Sequence, residues 1–319
     1  MDNTTLTADG LPSAVVIREV GLRDGLQIIP RTVPTANKLE WLREEHAAGV
    51  REFEVGSFVP ARLMPQLADT AEVLAFAKTL PGVRTTVLVP NLKGAERAIA
   101  EEADAMLLPL SASHGHSLAN LRKTPDDVVA EIGRIRVARD AAGSRTKIEV
   151  GISTAFGCTI QGEVKVSEVV RLVQAAIDAG ADGVGLADTV GYADPAMVTR
   201  VFEAALRVAG GKLHTAHFHD TRGLGLANCY AALRLGVRRF DACLGGIGGC
   251  PHAPGASGNV STEDLAYMLA SMGVQTGLDF ERLIALRKKL GAWLEGEQLH
   301  GTLWRAGLPK TLQSLSLAS

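Results

Sequence analysis

Eight short apolar segments alternate with longer segments of helical periodicity along most of the chain. The strand-length segments start at Val15, Arg51, Arg84, Asp104, Lys147, Asp182, Leu213 and Arg238. Helix-length segments lie between them, among them 35–48, 125–142, 167–179, 194–208 and 226–236, and the helix-start signals TPDD and DPAM open two of these. Eight consecutive strand–helix units predict the α/β class, as a closed (β/α)8 or TIM barrel rather than an open sheet.

The length of the chain is consistent with one large domain. The chain has 319 residues, and a single barrel of this kind commonly takes about 250. We predict a catalytic barrel over residues 14–275 and a C-terminal helical extension over 276–319 that packs on the barrel. The extension should contain a helix from Leu278 to Trp293, followed by a loosely ordered polar tail.

The charge and the apolar pattern exclude several classes of protein. Lys and Arg number 33 against 35 Asp and Glu, so the formal charge is −2, and the chain has no long basic run of the kind that binds nucleic acid. No segment approaches the roughly 20 apolar residues of a membrane span, and the first residues resemble neither a secretory signal nor a transit peptide. We expect a soluble cytoplasmic protein that binds neither nucleic acid nor membrane.

The four cysteines are too few for a disulfide framework in a chain of this length and lack the spacing of a metal finger. This pattern favours a reducing compartment. We assign Cys158, Cys229 and Cys243 to packing, because a cysteine on an apolar background is usually a small buried hydrophobe.

The stretch HTAHFHDTRG places two histidines two residues apart near the end of the seventh predicted strand. Residues i and i+2 of a strand face the same side, and barrel enzymes build their sites at the carboxyl ends of the strands. His217 and His219 could therefore share one divalent ion, with carboxylate or amide oxygens completing the shell. The alternative is two polar residues that hydrogen bonds satisfy at the barrel mouth.

Two further strand ends carry residues that suit a catalytic site. The first strand runs into EVGLRDGLQ, which places the fixed cation Arg23 beside the oxygen donor Asp24. After the eighth strand comes GGIGGCPHAPGASGN, with six glycines, Cys250 and Asn259. Glycines at this density let a backbone approach a ligand closely and suit a lid, whereas the alternative is an ordinary surface loop.

These motifs resemble the signatures of the 3-hydroxy-3-methylglutaryl-CoA lyase family, metal-dependent barrel lyases grouped with isopropylmalate and homocitrate synthases. The resemblance rests on EVGLRDGLQ, HFHDTRG followed by GLAN, and GGIGGCP followed by APGASGN and STEDL, with SFVPARLMPQLAD and VPNLKG between them. It extends from about residue 16 to about residue 273. The synthases carry further C-terminal domains, for which this chain has little room, so its length favours the lyases.

The resemblance implies a role for individual residues of this chain. Asp24, His217, His219 and Asn259 would hold a divalent cation, Mg²⁺ or Mn²⁺, and Arg23 and Cys250 would be catalytic. Glu54 and Glu263 match acids of the family pattern, although Glu263 could equally be a first-turn acid that complements a helix dipole. Asn91 and Lys93 are candidates for contacts with CoA. Proton removal falls to Asp24 or His217.

The implied reaction is cleavage of a carbon–carbon bond in 3-hydroxy-3-methylglutaryl-CoA or a close 3-hydroxyacyl-CoA. It would give acetyl-CoA and a 3-oxo acid, which is acetoacetate for the parent substrate. Three alternatives stay open: a lyase acting on another thioester such as citramalyl-CoA, a synthase that condenses acetyl-CoA with a 2-oxo acid, and a silent barrel that only binds a metal or partner. We expect an acyl-CoA substrate and a homo-oligomer, a dimer or larger.

Four positions depart from the family pattern. His114 replaces a glutamate, His116 is an additional histidine, Gly185 stands where the lyases usually carry serine, and Arg222 replaces a tyrosine. The new cations could recognise an additional polar or anionic group on the substrate. The interpretation that we favour for His116 and Arg222 is a solvated rim residue.

Overall fold

The computed structural model describes residues 5–249 and 258–310. Its eight strands form one closed barrel in which each strand is parallel to the next and the eighth pairs with the first. The strands are β1 (Val16–Glu19), β2 (Glu52–Ser57), β3 (Arg84–Leu88), β4 (Ala105–Ser111), β5 (Lys147–Ser153), β6 (Gly183–Asp188), β7 (Leu213–Phe218) and β8 (Arg239–Ala242). The predicted (β/α)8 barrel is confirmed, with every strand in its predicted segment except that β4 extends one residue further, to Ser111.

Helices follow the strands and form the outer layer. They are α1 (Thr35–Ala47), α2 (Thr70–Ala77), α3 (Leu92–Ala100), α4 (His114–Leu121), α5 (Pro125–Ala141), α6 (Val166–Asp178), α7 (Pro195–Ala209), α8 (Gly225–Arg234), α9 (Thr262–Ser271), α10 (Phe280–Trp293) and α11 (Leu303–Ala306). The five predicted inter-strand helices are present within two residues of their expected ends. None of the helices among the described residues is long and apolar enough to cross a membrane.

Side-chain caps define where several helices begin. Thr124 accepts a hydrogen bond from the backbone N–H of Asp127, whose carboxylate accepts one from the Thr124 N–H, so α5 starts in a reciprocal capping box. Asp194 caps α7 and Ser261 caps α9 in the same general way. These caps satisfy backbone donors that have no partner within the helix.

The hydrophobic core lies between the strands and the surrounding helices. Cys158, Cys229 and Cys243 are free thiols buried there, in agreement with their assignment to packing. The inward face of the barrel is different, because several of its residues on β4, β5 and β6 are only half-buried. The barrel interior is thus open at the carboxyl ends of its strands.

The C-terminal segment lies against the helical layer of the barrel. The predicted helix at 278–293 is α10, which begins at Phe280 and packs on α1 and α9. Arg287 of this helix forms an ion pair with Glu263 of α9, with 2.7 Å between Nε and Oε1. Residue 276 as a domain boundary stays a prediction.

Candidate active site

A cavity of about 760 Å³ opens at the carboxyl ends of the barrel strands. Its wall includes Arg23 and Asp24, which follow β1, and His217 and His219 at the end of β7. Asp241 of β8 also lines it. The candidate residues from distant parts of the chain therefore share one cavity.

The two histidines converge with Asp24 in that cavity. The Nε2 atoms of His217 and His219 lie 3.1 Å apart, and His219 Nε2 lies 3.4 Å from Asp24 Oδ2. One potential ligand atom from each residue falls within 4.8 Å of the other two. Two imidazole nitrogens and a carboxylate oxygen are a mixed donor set that suits a divalent cation. These three residues could hold a metal ion, as the sequence predicts.

Asn259 lies beside Asp24. Its Nδ2 donates to Asp24 Oδ2 at 2.8 Å and to the carbonyl oxygen of Ile247 at 3.0 Å. Its Oδ1 is buried and accepts no hydrogen bond from the described residues. A buried amide oxygen without a donor is costly, and a cation beside Asp24 would give it a partner. The residues present thus fit a metal ion.

Charges around the cluster are arranged to keep Asp24 ionised. Burial by itself would raise the pKa of Asp24, but the Arg23 guanidinium and a hydrogen bond from His219 hold this pKa well below its usual range. Asp241 Oδ2 lies 3.2 Å from His217 Nδ1. A proton on Nδ1 would be donated to this carboxylate, which leaves the Nε2 lone pair facing the cavity.

The loop that carries Arg23 and Asp24 is a single π-helical turn, Gly21–Gly25. The Val20 carbonyl accepts hydrogen bonds from the N–H groups of Asp24 and Gly25, at 2.8 and 3.2 Å. A Cβ at Gly21 would lie 2.5 Å from the Trp41 ring, so only glycine fits there. A π turn of this kind is rare and frequently occurs at functional sites.

Arg23 is held between two carboxylates. Its Nη1 lies 2.6 Å from Asp24 Oδ1, and its Nε lies 2.7 Å from Glu54 Oε1. Burial raises the pKa of Glu54 above its ordinary value, although the Arg23 charge acts in the opposite direction. Glu54 is fully buried behind Arg23 and contacts its guanidinium. It is not among the described residues that form the cavity wall.

The remaining predicted residues lie in different surroundings. Cys250 lies outside the described residues. Asn91 lines the cavity while its Oδ1 accepts a hydrogen bond from the Gly94 N–H at the start of α3, whereas Lys93 is exposed on the first turn of that helix. Glu263 is buried and contacts Arg287 and the Gly245 N–H, so within the described structure it supports the turn after β8.

The family departures divide into two groups. His116 is buried, lines the cavity and lies with its Nδ1 3.1 Å from Ser111 Oγ, so the interpretation as a solvated rim residue is wrong for it. Gly185 also lines the cavity. Arg222 instead donates to the carbonyl oxygens of Val190 and Gly191, in a separate cleft, and His114 is exposed.

A set of charged residues below the metal-ligand cluster was not among the predicted site residues. Arg18 forms ion pairs with Asp241 and Glu149 at 2.8 and 2.9 Å, and Arg239 forms one with Glu149 at 2.9 Å. All four are buried inside the barrel. The sequence carried a signal for them, because each is a charged residue within a predicted strand of the barrel, where buried charges without a partner are rare.

Comparison with known proteins gives a consistent picture. A family model described as HMGL-like matches residues 14–290. The chain is 37% identical over 284 residues to the hydroxymethylglutaryl-CoA lyase of Bacillus subtilis, covering 89% of this chain and 93% of that protein. It is 38% identical over 317 residues to the (R)-citramalyl-CoA lyase of Chloroflexus aurantiacus, covering 96% and 98% respectively. The structure of an HMG-CoA lyase from Acinetobacter baumannii, in complex with coenzyme A and 3-methylmalate, is 40% identical, with a TM-score of 0.87 over 93% of this chain and 96% of that one.

Proposed function

Because the chain belongs to the HMGL-like family, we propose that it is a divalent-metal-dependent carbon–carbon lyase acting on 3-hydroxy-3-methylglutaryl-CoA or a close 3-hydroxyacyl-CoA. The products are acetyl-CoA and a 3-oxo acid, acetoacetate in the case of the parent substrate. The observation that carries this proposal is the convergence of Asp24, His217 and His219 in one cavity beside Arg23.

The metal site of the proposal consists of Asp24, His217, His219 and Asn259. Mixed oxygen and imidazole ligands of this kind suit Mg²⁺ or Mn²⁺, and the unpartnered Asn259 Oδ1 supports the fourth member of the set. When bound, the cation would polarise the substrate hydroxyl and stabilise negative charge on its oxygen. Asp241 holds the His217 ring from the opposite side.

Arg23 is the proposed electrostatic catalyst. Cleavage of the bond leaves negative charge on the thioester oxygen of the departing acetyl-CoA enolate, and Arg23 lies on the cavity wall with its orientation already fixed by Asp24 and Glu54. A donor that needs no reorganisation stabilises such charge most effectively. Glu54 is thus proposed to position Arg23. The proposed acceptor of the hydroxyl proton is Asp24 or His217, both of which line the cavity.

Cys250 is the proposed proton donor to the carbon of the acetyl-CoA enolate. This assignment rests on the family motif GGIGGCP alone. A catalytic thiol predicts that Cys250→Ser lowers turnover with little change in melting temperature, because an alcohol is a weaker acid than a thiol. It also predicts inactivation by a thiol-alkylating reagent, which bound substrate should slow.

CoA contacts, assembly and location complete the proposal. Asn91 and Lys93 remain candidates for binding CoA. The position of Asn91 on the cavity wall supports its candidacy. We further propose a homo-oligomer, a dimer or larger, in the cytoplasm. Sedimentation of the purified protein and fractionation of cells check these two statements.

Citramalyl-CoA is the second candidate substrate. The likeness to a (R)-citramalyl-CoA lyase over nearly the whole of both chains favours it. Cleavage of the equivalent bond in citramalyl-CoA would give acetyl-CoA and pyruvate. The metal-ligand set and Arg23 would serve both reactions, because each splits a bond beside a tertiary alcohol.

One assay tests the proposal and separates the two substrates. Purified protein is freed of metal with a chelator, reloaded with Mg²⁺ or Mn²⁺, and given each thioester, with acetyl-CoA, acetoacetate and pyruvate followed by mass. We expect cleavage only after reloading. Full activity in the chelated protein would contradict the metal site, and formation of free CoA without acetyl-CoA would contradict the lyase assignment.

A further inference from the structure

The cavity wall formed by β5 and β6 lacks a side chain at two adjacent positions. Gly151 of β5 and Gly185 of β6 are register partners, and both line the cavity. Pro109 of β4 and Thr215 of β7 lie beside them in the same row of the barrel. We call the pair Gly151 and Gly185 the glycine notch.

Backbone conformation does not require glycine at position 151. Gly151 lies inside a paired strand and, like Gly185, is not among the glycines with positive φ. A Cβ built there would lie 3.6 Å from Leu107 Cδ1, the nearest atom of the described residues, which is ordinary van der Waals contact. Glycine weakens a strand interior relative to alanine, and there it often marks the close approach of a ligand.

Gly185 has a partial explanation in packing. A Cβ at this position would lie 3.0 Å from Thr215 Cβ and 3.2 Å from the Thr215 carbonyl oxygen, so the neighbouring strand would have to shift. Position 151 has no such constraint. The free space at Gly151 is therefore the observation on which the inference rests.

The surroundings of the notch favour an alkyl group. Leu107 and Pro109 flank it on β4 and are only half-buried, as expected for side chains on a cavity wall. Glu149 lies two residues before Gly151 on the same strand, where its ion pairs with Arg18 and Arg239 close the barrel floor. These charges compensate one another, and although Ser153 and Thr215 also line the cavity nearby, Leu107 and Pro109 form the apolar side of the notch.

The shape of the substrate indicates which of its groups would enter the notch, and this inference therefore rests on the proposed function. The tertiary carbon carries four groups. In the proposed function its hydroxyl and the carboxylate-bearing arm face the metal-ligand cluster, and its thioester arm leads to the cavity mouth. With these three groups so placed, the remaining alkyl substituent is left to face the wall formed by β4, β5 and β6.

We propose that the glycine notch receives the 3-alkyl substituent of the 3-hydroxyacyl-CoA and accommodates a group larger than methyl. Gly151 is then a specificity-determining residue, because its missing side chain provides the room for the additional carbon. The preferred substrate class is a 3-hydroxy-3-alkylglutaryl-CoA, or the corresponding homologue of citramalyl-CoA, with an ethyl or longer alkyl group.

The test compares the metal-loaded enzyme on the 3-methyl and 3-ethyl thioesters. The ethyl homologue of the glutaryl substrate yields acetyl-CoA and 3-oxopentanoate. One methylene in an apolar pocket changes kcat/KM by about 10- to 200-fold, so we expect the wild type to prefer ethyl by about tenfold or more. Inhibition by the free 3-hydroxy-3-alkylglutarates supplies a binding measurement that needs no turnover and should follow the same order.

Gly151→Ala fills the notch with one methyl group and should lower the ethyl-to-methyl ratio by about tenfold or more. Gly133→Ala is the matched control, because Gly133 is on α5 and a Cβ there meets no described atom within 4 Å. This control should leave the ratio unchanged. Leu107→Ala enlarges the notch from the other side and should extend the preference to 3-propyl, which provides a second reading if Gly151→Ala folds poorly.

The outcomes separate the notch from the proposed function. A wild type that prefers the methyl substrate, or a ratio that neither Gly151→Ala nor Leu107→Ala changes, overturns the notch while the lyase assignment stands. Failure of the metal-loaded wild type to cleave any thioester overturns both. A shifted ratio in the two notch variants but not in Gly133→Ala supports the inference.

Discussion

The two sides of the barrel interior differ sharply in what they expose to the cavity. On one side, β1, β7 and β8 and the loops after them contribute charged or imidazole groups that are buried except for the half-buried His217: Arg18, Arg23, Asp24, His217, His219 and Asp241. On the other side, β4, β5 and β6 contribute mainly small or apolar residues, among them Leu107, Pro109, Gly151, Gly185 and Ala187, with Glu149 and Ser153 of β5 as the polar exceptions. Both sides belong to one sheet with the same parallel pairing.

This difference indicates a division of tasks within a single cavity. A buried charge is tolerated only where partners compensate it, so each charged residue on the first side constrains its neighbours. A wall of small and apolar residues places few constraints on its neighbours, so its residues can change to suit a different substrate. We therefore expect changes on the charged side to alter metal affinity and rate, and changes on the apolar side to alter the choice of acyl group.

The largest expected effect comes from removing the Asp24 charge. Asp24→Asn keeps the size of the side chain but replaces a carboxylate that lies 3.4 Å from His219 Nε2. We expect turnover to fall by about 10³ or more and metal affinity to fall with it, because the ion loses its only charged ligand in the proposed set. Metal content after equilibrium dialysis and kcat are the measurements.

Asp194→Asn is the matched control for that change. Asp194 caps α7, where asparagine caps nearly as well, so activity and metal content should stay close to wild type. Near-normal metal binding in folded Asp24→Asn would show that the charged side does not hold the ion through this residue.

The next largest effect is expected at Arg23. Arg23→Lys keeps the positive charge but loses the planar group that contacts Asp24 and Glu54 together. Loss of one preorganised donor typically lowers rate by about 10² to 10³, so kcat should fall in that range while KM changes much less. Arg222→Lys, in the separate cleft, should be nearly neutral. Equal losses of kcat in Arg23→Lys and Arg222→Lys would contradict a special role for Arg23 on the cavity wall.

A smaller effect is expected at Asp241, which contacts His217 from behind. Asp241→Asn should weaken metal binding by about 10- to 100-fold, the usual range for partners of metal-ligating histidines. Glu149→Gln is the comparison, because it breaks the other ion pair of Arg18 and does not contact His217. If titration calorimetry finds the same loss of metal affinity in both variants, Asp241 acts through Arg18 and not through His217.

The smallest effect concerns the outer face of β1, where Glu19 points toward α1 and Glu45. Burial raises the pKa of Glu19 to about 7, and burial together with the Glu19 charge raises the pKa of Glu45 well above its ordinary value. An unfolded chain ionises these groups near 4.5, so the folded state loses stability as pH rises from about 4.5 to 7.

Glu45→Gln removes one of these two acids and should therefore stabilise the protein more at pH 8 than at pH 5. We expect the difference between the two pH values to be about 1 kcal/mol, measured as the free energy of urea unfolding. Glu44→Gln makes the same change at the adjacent, partly exposed position, where solvent screens the charge, and should show little pH dependence. A difference that shrinks as pH rises would contradict the sign of this argument.

Local patterns were sufficient for the architecture and for part of the site. The strand segments and their spacing predicted the barrel, because apolar periodicity and helix caps act over a few residues. The i, i+2 relation predicted that His217 and His219 face the same side. Arg18, Glu149 and Asp241 are charged residues in predicted strands, a pattern that indicates paired charges inside the barrel, but they were not among the predicted site residues.

The amino-acid sequence by itself determined the eight strand–helix units, the side that the two histidines share and, through its motifs, the family. Only the closed barrel decided that Asn259 donates to Asp24 across 235 residues of chain, that His116 is buried in the cavity, and that Gly151 lines the cavity with room for a Cβ. The physical reason is that these contacts depend on barrel closure and strand register, which bring distant residues into one row, and no local propensity encodes such a distance.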